Sequence, residues 1–386
     1  MKSRRGITLP LLLVTVALVA GACSSSDDGA TTTTTVATVP TFSLVVAAGH
    51  TLAVVDQDVP LNGTVPPPPR TVIPRGTDGG GPHGQICVNA DGDEFAVATN
   101  APGAAPTWTV YSWTGTTDAK LDVTERERLV APARGDDEAY GCAFLGDHRM
   151  VTTTASRTDR TATGRVLLWE RAPSSSATPT MCLLDPTVTA PRQLSVTDQG
   201  VTILAAQFGT TAGLWRYGTL PRDVRSTSTA GHDSDPPCAG VPADGGRSAA
   251  PPPRGLVVTE PFGVETFREN VAITTPTFTT AYAYSMLTGE VVGLIDRQPP
   301  SPLDGPHRSV AGTPTGIALG RDDTFFTDTD LVGTGPAATP GPNGTVRRTL
   351  MTESTPTGAA VLASGLDDPQ GLALLRHRAA GSTTES

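Results

Sequence analysis

The feature of this sequence that most constrains its fold is a strand–turn–strand segment that recurs along the chain. One copy runs from Pro82 to Asn100, where a short apolar run and a second strand-forming run flank the acidic turn Asn89–Glu94. A further strand pair follows most copies, as at Thr107–Trp113 after the first. Short runs with alternating apolar residues, separated by Gly, Asp and Asn, are typical of antiparallel strands with one buried face. The copies begin at residues 82, 140, 191, 261, 314 and 369.

The length of this repeat predicts a β-propeller. The copies follow one another at steps of 51 to 70 residues, slightly longer than the roughly 40–50 residues of common propeller repeats. The 41 Gly and 35 Pro residues also disfavour a helical protein, since both residue types destabilise helix interiors. We therefore predict an all-β fold, a six-bladed β-propeller with four-stranded antiparallel blades, in a single domain over residues 41–380.

The two ends of the repeat array predict how the ring closes. The last copy, Pro369–Arg378, provides only the inner half of a blade, and Thr41–Val59 carries strands without an opening copy of its own. An open array would expose unpaired strand edges at both ends. We therefore expect the last blade to be closed by the N-terminal strands.

Two segments fall outside the repeat. The longest step contains a polar, proline-rich stretch, which predicts an inserted and exposed loop over residues 221–253. The last residues, 381–386, are polar and small, and we expect a disordered C-terminal tail there.

Two short sequence motifs resemble those of a known family. The sequences "PTGIALGRDD" at Pro314–Asp323 and "PQGLAL" at Pro369–Leu374 resemble the NHL-repeat and SMP-30/gluconolactonase-type six-bladed propellers. The resemblance covers most of residues 41–380 and lies in positions that set turns and inner strands. SMP-30-type hydrolases bind a divalent cation in the channel through Glu, Asn and Asp and use a carboxylate as base. This chain has Thr315 and Gln370 where such ligands would be convenient, so the resemblance implies the fold rather than an activity.

The N-terminus has the pattern of a bacterial export signal. Three basic residues precede the apolar stretch Ile7–Ala20, which is too short to span a membrane as a helix. Small residues then stand directly before Cys23, as in a lipobox, where the thiol receives diacylglycerol before cleavage. We therefore predict a signal peptide over 1–22, followed over 23–40 by a lipidated Cys23 and a flexible Ser/Thr-rich tether.

This signal leaves two interpretations of where the protein resides. Lipidation of Cys23 predicts a protein anchored through its lipid at the outer face of the bacterial cytoplasmic membrane. The alternative is that the same small residues form an ordinary secretory cleavage site and release a soluble, secreted protein.

The cysteine count agrees with export. The sequence has five cysteines, and lipidation would leave four in an oxidising compartment, enough for two disulfides with three possible connectivities. We favour the pairs that join neighbouring parts of the chain. Neither has the Cys-x-x-Cys spacing of a zinc or redox site, so we expect structural disulfides. The predicted pairs are Cys87–Cys142 and Cys182–Cys238.

Candidate functional residues are expected at the central channel, near the start of each inner strand. We predict no catalytic residue and no metal ligand, because neither His-Glu-x-x-His nor Gly-x-Ser-x-Gly occurs. For His83, the competing interpretation is a hydrogen-bonded structural histidine. The channel candidates are His83, Tyr140, Arg192, Gln193, Glu260, Glu265, Thr315 and Gln370.

Charge and motifs together favour a binding module over an enzyme. The formal net charge of −10 disfavours a nucleic-acid partner. We predict a monomeric, non-catalytic module without a cofactor that binds an unknown small ligand or envelope protein. The alternative is an enzyme acting in the channel, either a hydrolase dependent on calcium or zinc or a quinoprotein-type sugar dehydrogenase. A third possibility is a scaffold in an envelope complex, which would present a contiguous apolar patch.

Overall fold

The structure of the protein is a computed structural model. It describes residues 42–377 with internal gaps, so the predicted signal peptide, Cys23, the tether and the tail 381–386 lie outside the described residues. The gaps are 57–65, 67, 116–120, 147, 160, 173–177, 198–201, 207–211, 219, 222–223, 225–234, 256–257, 259, 268–269, 276–279, 296–313, 320–322, 330, 333–338 and 351–359.

The secondary-structure elements of the described residues are β-strands. Most of these strands form four-stranded sheets, which we number as blades in chain order. Three N-terminal strands come first: β1 (Phe42–Ala48), β2 (Thr51–Val55) and β3 (Arg70–Ile73). Blade 1 consists of β4 (Gly81–Val88), β5 (Glu94–Asn100), β6 (Thr107–Thr114) and β7 (Asp122–Val130). Blade 2 consists of β8 (Asp137–Phe144), β9 (Arg149–Ser156), β10 (Arg165–Glu170) and β11 (Thr180–Asp185).

The remaining blades repeat this plan. Blade 3 consists of β12 (Pro191–Val196), β13 (Thr202–Ala206), β14 (Gly213–Tyr217) and β15 (Arg247–Ala249). Blade 4 consists of β16 (Val264–Phe267), β17 (Asn270–Thr275), β18 (Thr280–Ser285) and β19 (Val291–Ile295). Blade 5 consists of β20 (Pro314–Leu319), β21 (Asp323–Asp328), β24 (Gly344–Leu350) and β25 (Ala360–Leu366), with a small hairpin of β22 (Leu331–Val332) and β23 (Thr339–Pro340). The final strand is β26 (Gly371–Arg376).

This arrangement confirms the predicted six-bladed propeller of antiparallel four-stranded blades. The inner strands β4, β8, β12, β16, β20 and β26 coincide with the six sequence copies. Neighbouring strands of a blade pair antiparallel, and most of them are consecutive in the chain. In blade 5, β21 pairs with β24, because the β22–β23 hairpin lies between them in the sequence, and in blade 3 a long connection joins β14 to β15.

The sixth blade closes the ring with strands from both ends of the described chain. Strand β26 pairs antiparallel with β1, with Val46 opposite Leu372 and Ala47 opposite Gly371. The sheet order is β26–β1–β2–β3, so the N-terminal strands do complete the last blade. Its C-terminal share is one strand rather than the inner half that the sequence predicts, and we call it the closing blade.

The predicted inserted loop over 221–253 needs a correction. Strand β15, within this range, pairs with β14 and is the outer strand of blade 3. Asp235 and Cys238 are buried, and Asp235 accepts a hydrogen bond at 2.9 Å from Arg165 and pairs with Arg134 at 2.8 Å. The expectation of an exposed loop is therefore wrong for these residues, whose polar partners lie on other parts of the chain.

The hydrophobic core lies between adjacent blades. Between blades 1 and 2, Trp108 and Trp169 pack edge to face at 6.2 Å, with Met150 in the same buried cluster. Between blade 5 and the closing blade, Phe325 packs in a buried cluster with Leu44. Successive side chains of a strand point to opposite faces, so each blade contributes to the clusters on both of its sides.

Both predicted disulfides are present. Cys87–Cys142 joins the inner strands of blades 1 and 2, with Cα atoms 5.8 Å apart. Cys182–Cys238 joins β11 to the segment that precedes β15, with Cα atoms 4.9 Å apart. Two structural disulfides are typical of a protein in an oxidising compartment outside the cytoplasm. In the part of the chain that the structure describes, no helix is long and apolar enough to cross a membrane.

Candidate functional site

The inner strands surround a central channel, and glycines let them approach one another. A Cβ atom added to Gly84 would lie 2.9 Å from the Tyr140 carbonyl oxygen, and one added to Gly316 would lie 2.5 Å from the Gln370 carbonyl oxygen. Gly84 also has a φ of 93°, which other residues rarely adopt. Gly141, Gly263 and Gly371 hold the same position in their strands, and in blade 3 Gln193 replaces the glycine.

The residues that precede these positions form one end of the channel, which we call the start ring. It contains most of the predicted channel candidates and one residue that the sequence analysis missed, Phe262. Arg192 lies over the Tyr140 ring at 4.1 Å and near the Phe262 ring at 5.7 Å, in cation–π contacts. The members of the start ring are His83, Tyr140, Arg192, Phe262, Thr315 and Gln370.

The start ring is buried and closely packed. Thr315 Oγ1 donates a hydrogen bond to the Pro369 carbonyl oxygen at 2.7 Å. His83 stacks on His50, whose β1–β2 turn belongs to the closing blade, with ring centroids 4.9 Å apart. His83 Nε2 lies 3.9 Å from Asp368 Oδ2, which is too long for a hydrogen bond. Burial, reinforced by the charge of His50, lowers the pKa of His83 to about 3, so this histidine is neutral at physiological pH.

His83 does not have all the partners of a satisfied structural histidine. Its Nδ1 atom is buried and has no hydrogen-bond partner within the described chain, and the same is true of Gln370 Oε1. Gln370 Nε2 donates to Asp368 Oδ2 at 2.8 Å. Glu260, another predicted candidate, precedes blade 4 with a φ of 48° and a buried Oε2 atom that likewise lacks a described partner.

Two glutamines cross the channel below the start ring. Gln193 Nε2, from blade 3, donates to the Gln370 carbonyl oxygen of the opposite closing blade at 2.9 Å. Gln85, from blade 1, bonds to the inner strands of blades 2 and 3. Its Oε1 atom accepts hydrogen bonds from Cys142 N at 3.0 Å and from Leu194 N at 2.8 Å. Its Nε2 atom donates to the Leu194 carbonyl oxygen at 2.5 Å. These bonds occupy the channel between its two ends. Sequence analysis did not identify Gln85 as a channel residue, because its partners come from other blades.

Beyond Gln85, towards the ends of the inner strands, the channel widens into a cavity of about 1000 Å³, which we call the channel cavity. Gln85 is part of its wall, and Arg376 and His377 lie at its edge after the last inner strand. Polar atoms make up about half of the surface that faces the cavity, but most of the side chains that line it are apolar: Phe42, Ile86, Val88, Ala143, Phe144, Leu194, Val196, Ala318, Leu319, Leu372, Ala373, Leu374 and the Cys87–Cys142 disulfide.

The hydroxyl groups in the cavity wall and at its edge are bonded within the protein. Ser195 Oγ accepts from Thr266 N at 3.0 Å, and Thr266 Oγ1 donates to the Val196 carbonyl at 2.8 Å. At the edge, Ser43 Oγ and His377 Nε2 are 2.7 Å apart. These hydroxyl groups therefore fix the wall rather than present unused donors to the cavity.

Glu265 is the acidic residue of the cavity wall. It lies on β16, is mostly buried, and has no hydrogen bond or ion pair to its carboxyl group among the described residues. Burial raises the pKa of Glu265 to about 8, because an apolar surrounding disfavours the charged form. The sequence analysis predicted Glu265 as a candidate, but at the start of its strand, whereas the structure places it in the cavity on the far side of the glutamines.

Among the residues that the structure describes, no three His, Cys, Asp or Glu side chains are placed to hold one metal ion. The predicted lipidation site, Cys23, lies outside these residues.

Comparison of the sequence with protein-family models and with curated proteins finds no match. Solved structures do match. Apo AztD from Citrobacter koseri is 12% identical with a TM-score of 0.39 and covers 86% of this chain and 97% of its own. A protein from Lactobacillus plantarum is 9% identical with a TM-score of 0.44, over 87% of this chain and 100% of its own. The PQQ-bound aldose sugar dehydrogenase from Streptomyces coelicolor is 14% identical with a TM-score of 0.39, and the match covers 77% of this chain and 89% of the dehydrogenase. Similarity at this level says nothing about a ligand or an activity of this chain.

Proposed function

We propose that the protein is an exported, lipid-anchored binding module that holds a small amphipathic organic ligand in its channel cavity and does not catalyse a reaction. The observation that carries this proposal is the cavity itself. Its volume of about 1000 Å³ and its wall of mainly apolar side chains interspersed with polar groups are those of a small-molecule site, for which about 300–1,000 Å³ is usual.

The state of the polar groups supports binding rather than catalysis. The side chains of Gln85, Ser195 and Thr266 are bonded to one another's backbone or to neighbouring strands, which makes the wall rigid. General acid–base catalysis needs at least one titratable group beside the reacting bond, and hydrolysis normally needs a second group or a metal ion. Glu265 is the carboxyl group in the described wall, and it has the polarity to orient a ligand.

The export pattern supports a position at the cell surface. Small residues precede Cys23, and a Ser/Thr-rich segment of about 17 residues separates it from β1, long enough to extend on the order of 20–25 Å as a random coil. The anchor would hold the propeller close to the membrane with its cavity accessible to small molecules outside the cell.

Binding can be tested with the neutral fluorescent probe N-phenyl-1-naphthylamine. We expect its fluorescence to rise on mixing with the purified mature protein, because the probe leaves water for an apolar cavity. Val88 lines the cavity and is half-buried, packed against the core cluster that contains Ile86 and Phe95, so Val88→Trp should narrow the cavity and weaken the signal, with urea unfolding as the check that the variant folds. No fluorescence change with the wild-type protein, or an unchanged signal with the variant, would argue against this site.

The anchor is tested separately by mass analysis of the N-terminal peptide. We expect cleavage before Cys23 and the mass of a diacylglycerol group on its sulfur. The Cys23→Ser variant is the control and should lack both the modification and membrane attachment. A mature chain with an unmodified Cys23 thiol would show that the protein is secreted instead.

A further inference from the structure

Resting on this proposed function, we propose that the ligand of the channel cavity is a small organic cation, an apolar body with a protonated amine that pairs with the carboxylate of Glu265. The proposal names a chemical class, amphipathic amines, and a position in the cavity for the charged group.

The propeller repeat shows that Glu265 is not part of the framework. It lies two residues after the glycine position of its inner strand, and the other five strands carry small or apolar residues there. The blade framework therefore forms without a carboxyl group at this position, and the acid must be explained by something else. The equivalent residues are Ile86, Ala143, Ser195, Ala318 and Ala373.

The protein itself does not offer Glu265 a partner in the described structure. Its neighbours Ser195 and Thr266 use their side chains on each other and on the Val196 carbonyl. Burial is the cause that raises the Glu265 pKa, and Arg376 and His377 at the cavity edge do not contribute. A mostly buried carboxyl group that faces a cavity without an ion pair is disfavoured in its charged form. A cationic ligand would supply the missing partner.

The protonation state of Glu265 distinguishes cationic from neutral ligands. At neutral pH the empty cavity holds Glu265 as a carboxylic acid. An ammonium group within about 4 Å favours the carboxylate, so binding transfers the Glu265 proton to solvent and leaves a carboxylate–ammonium pair. A neutral ligand would instead accept a hydrogen bond from the acid and release no proton. The two classes therefore differ in the pH dependence of their binding.

Charge also favours cations on the way to the site. The chain has a formal net charge of −10, and a negative protein raises the local concentration of small cations and lowers that of anions. Arg376 at the cavity edge is exposed, so its charge is largely screened by water and salt. An anionic ligand held by Arg376 is the competing class, and the experiment includes it.

The experiment compares three fluorescent probes that share a dansyl group on an alkyl chain and differ in the charge at the end of that chain. Dansylcadaverine carries an amine, N-pentyl dansylamide is neutral, and dansyl-aminohexanoate carries a carboxylate. Each is titrated into the purified mature protein from pH 6 to pH 8, for the wild type, Glu265→Gln and Glu290→Gln. Glu290 is an exposed glutamate in the same blade and serves as the matched control.

We expect the amine probe to bind most tightly. Its affinity should rise about tenfold from pH 6 to pH 7, because each pH unit below the Glu265 pKa costs a factor of about ten in the carboxylate population. Glu265→Gln should weaken the amine probe about tenfold or more at pH 7, while Glu290→Gln should change nothing. In the wild type, calorimetry in buffers of different ionisation enthalpy should show release of about one proton per amine bound.

The opposing outcomes are distinct. If the neutral probe binds as tightly as the amine, with no pH dependence and no proton release, the cation inference is overturned while the binding function stands. If the carboxylate probe binds most tightly and Arg376→Gln weakens it, the ligand is an anion and the inference is again overturned. If none of the three probes binds, both this inference and the proposed function fail. The calorimetric readout uses the wild type and does not depend on the folding of any variant.

Discussion

The two ends of the channel are built by the same six strands but differ in how their polar groups are used. In the start ring, His83 is stacked on His50 and Arg192 is held between two aromatic rings. In the channel cavity, Glu265 lies among mainly apolar side chains without a described partner for its carboxyl group. The glutamines Gln85 and Gln193 separate the two ends.

This difference teaches that strand position alone does not assign a role in a propeller. Close approach of the inner strands at the glycines leaves little room for a ligand in the start ring. A few residues later the channel is wide enough to hold one. Burial of a neutral base at one end and of a neutral acid at the other also gives the two ends opposite pH dependence.

The largest expected effect is acid destabilisation through His83. Its pKa is about 3 in the folded protein and about 6.5 when unfolded. Below pH 6.5 the unfolded chain binds a proton that the folded protein does not, so stability falls as pH falls until about pH 3. Between pH 6.5 and pH 4 the loss should be about 3 kcal/mol, measured by urea unfolding. His83→Gln should remove this contribution to the slope of the unfolding free energy against pH. His148 is exposed, so His148→Gln should leave the slope unchanged. Equal slopes in all three proteins would show that His83 is not buried as described.

The opposite sign is expected at the other end of the channel. The pKa of Glu265 is about 8 in the folded protein and about 4.3 when unfolded. Its folded state binds a proton that the unfolded state loses, so this stability is complete below pH 4.3 and falls as pH rises towards 8. The free energy of unfolding of Glu265→Gln, relative to that of the wild type, should therefore increase by about 2–3 kcal/mol as the pH rises from 5 to 7. A constant difference across this range would mean that water solvates the carboxyl group.

A third test concerns the close packing near the start ring. A Cβ at Gly316 would lie 2.5 Å from a backbone oxygen of the neighbouring strand, so Gly316→Ala must move the strands apart. We expect a loss of about 2 kcal/mol or more in the free energy of unfolding. Gly218→Ala is the control, since nothing lies within 4 Å of its added Cβ. Similar stability of both variants would contradict the tight ring.

The smallest effects are expected for the glutamines that separate the ends. Gln85→Leu leaves two backbone N–H groups and one carbonyl without their partner, and should cost about 2 kcal/mol. Gln193→Leu removes one side-chain hydrogen bond and should cost about 1 kcal/mol. Unfolding experiments on both variants rank them, and a larger loss for Gln193→Leu would reverse our description of the channel.

The repeat was enough to predict the fold because it is a local property. Strand pairs joined by tight turns give the blade, and the incomplete last copy indicated closure by N-terminal strands. The disulfides followed from neighbouring copies. The error at 221–253 has the opposite cause: the buried Asp235 pairs with Arg165, from blade 2, and with Arg134, and no local pattern records such pairings.

The candidate site was predictable in part. Residues at the start of inner strands were found by their place in the repeat, but Phe262 was missed because an apolar residue before a glycine looks like any other. Gln85 was missed for a different reason, since its three partners come from two other blades.

The sequence by itself determined the blades, their number and the way the ring closes, because alternating strands, turn residues and copy spacing act over short distances. Only the tertiary structure decided which end of the channel is packed and which is open. That outcome depends on side chains from opposite blades meeting across the axis, and it leaves Glu265 facing a cavity while His83 is buried against a neighbour.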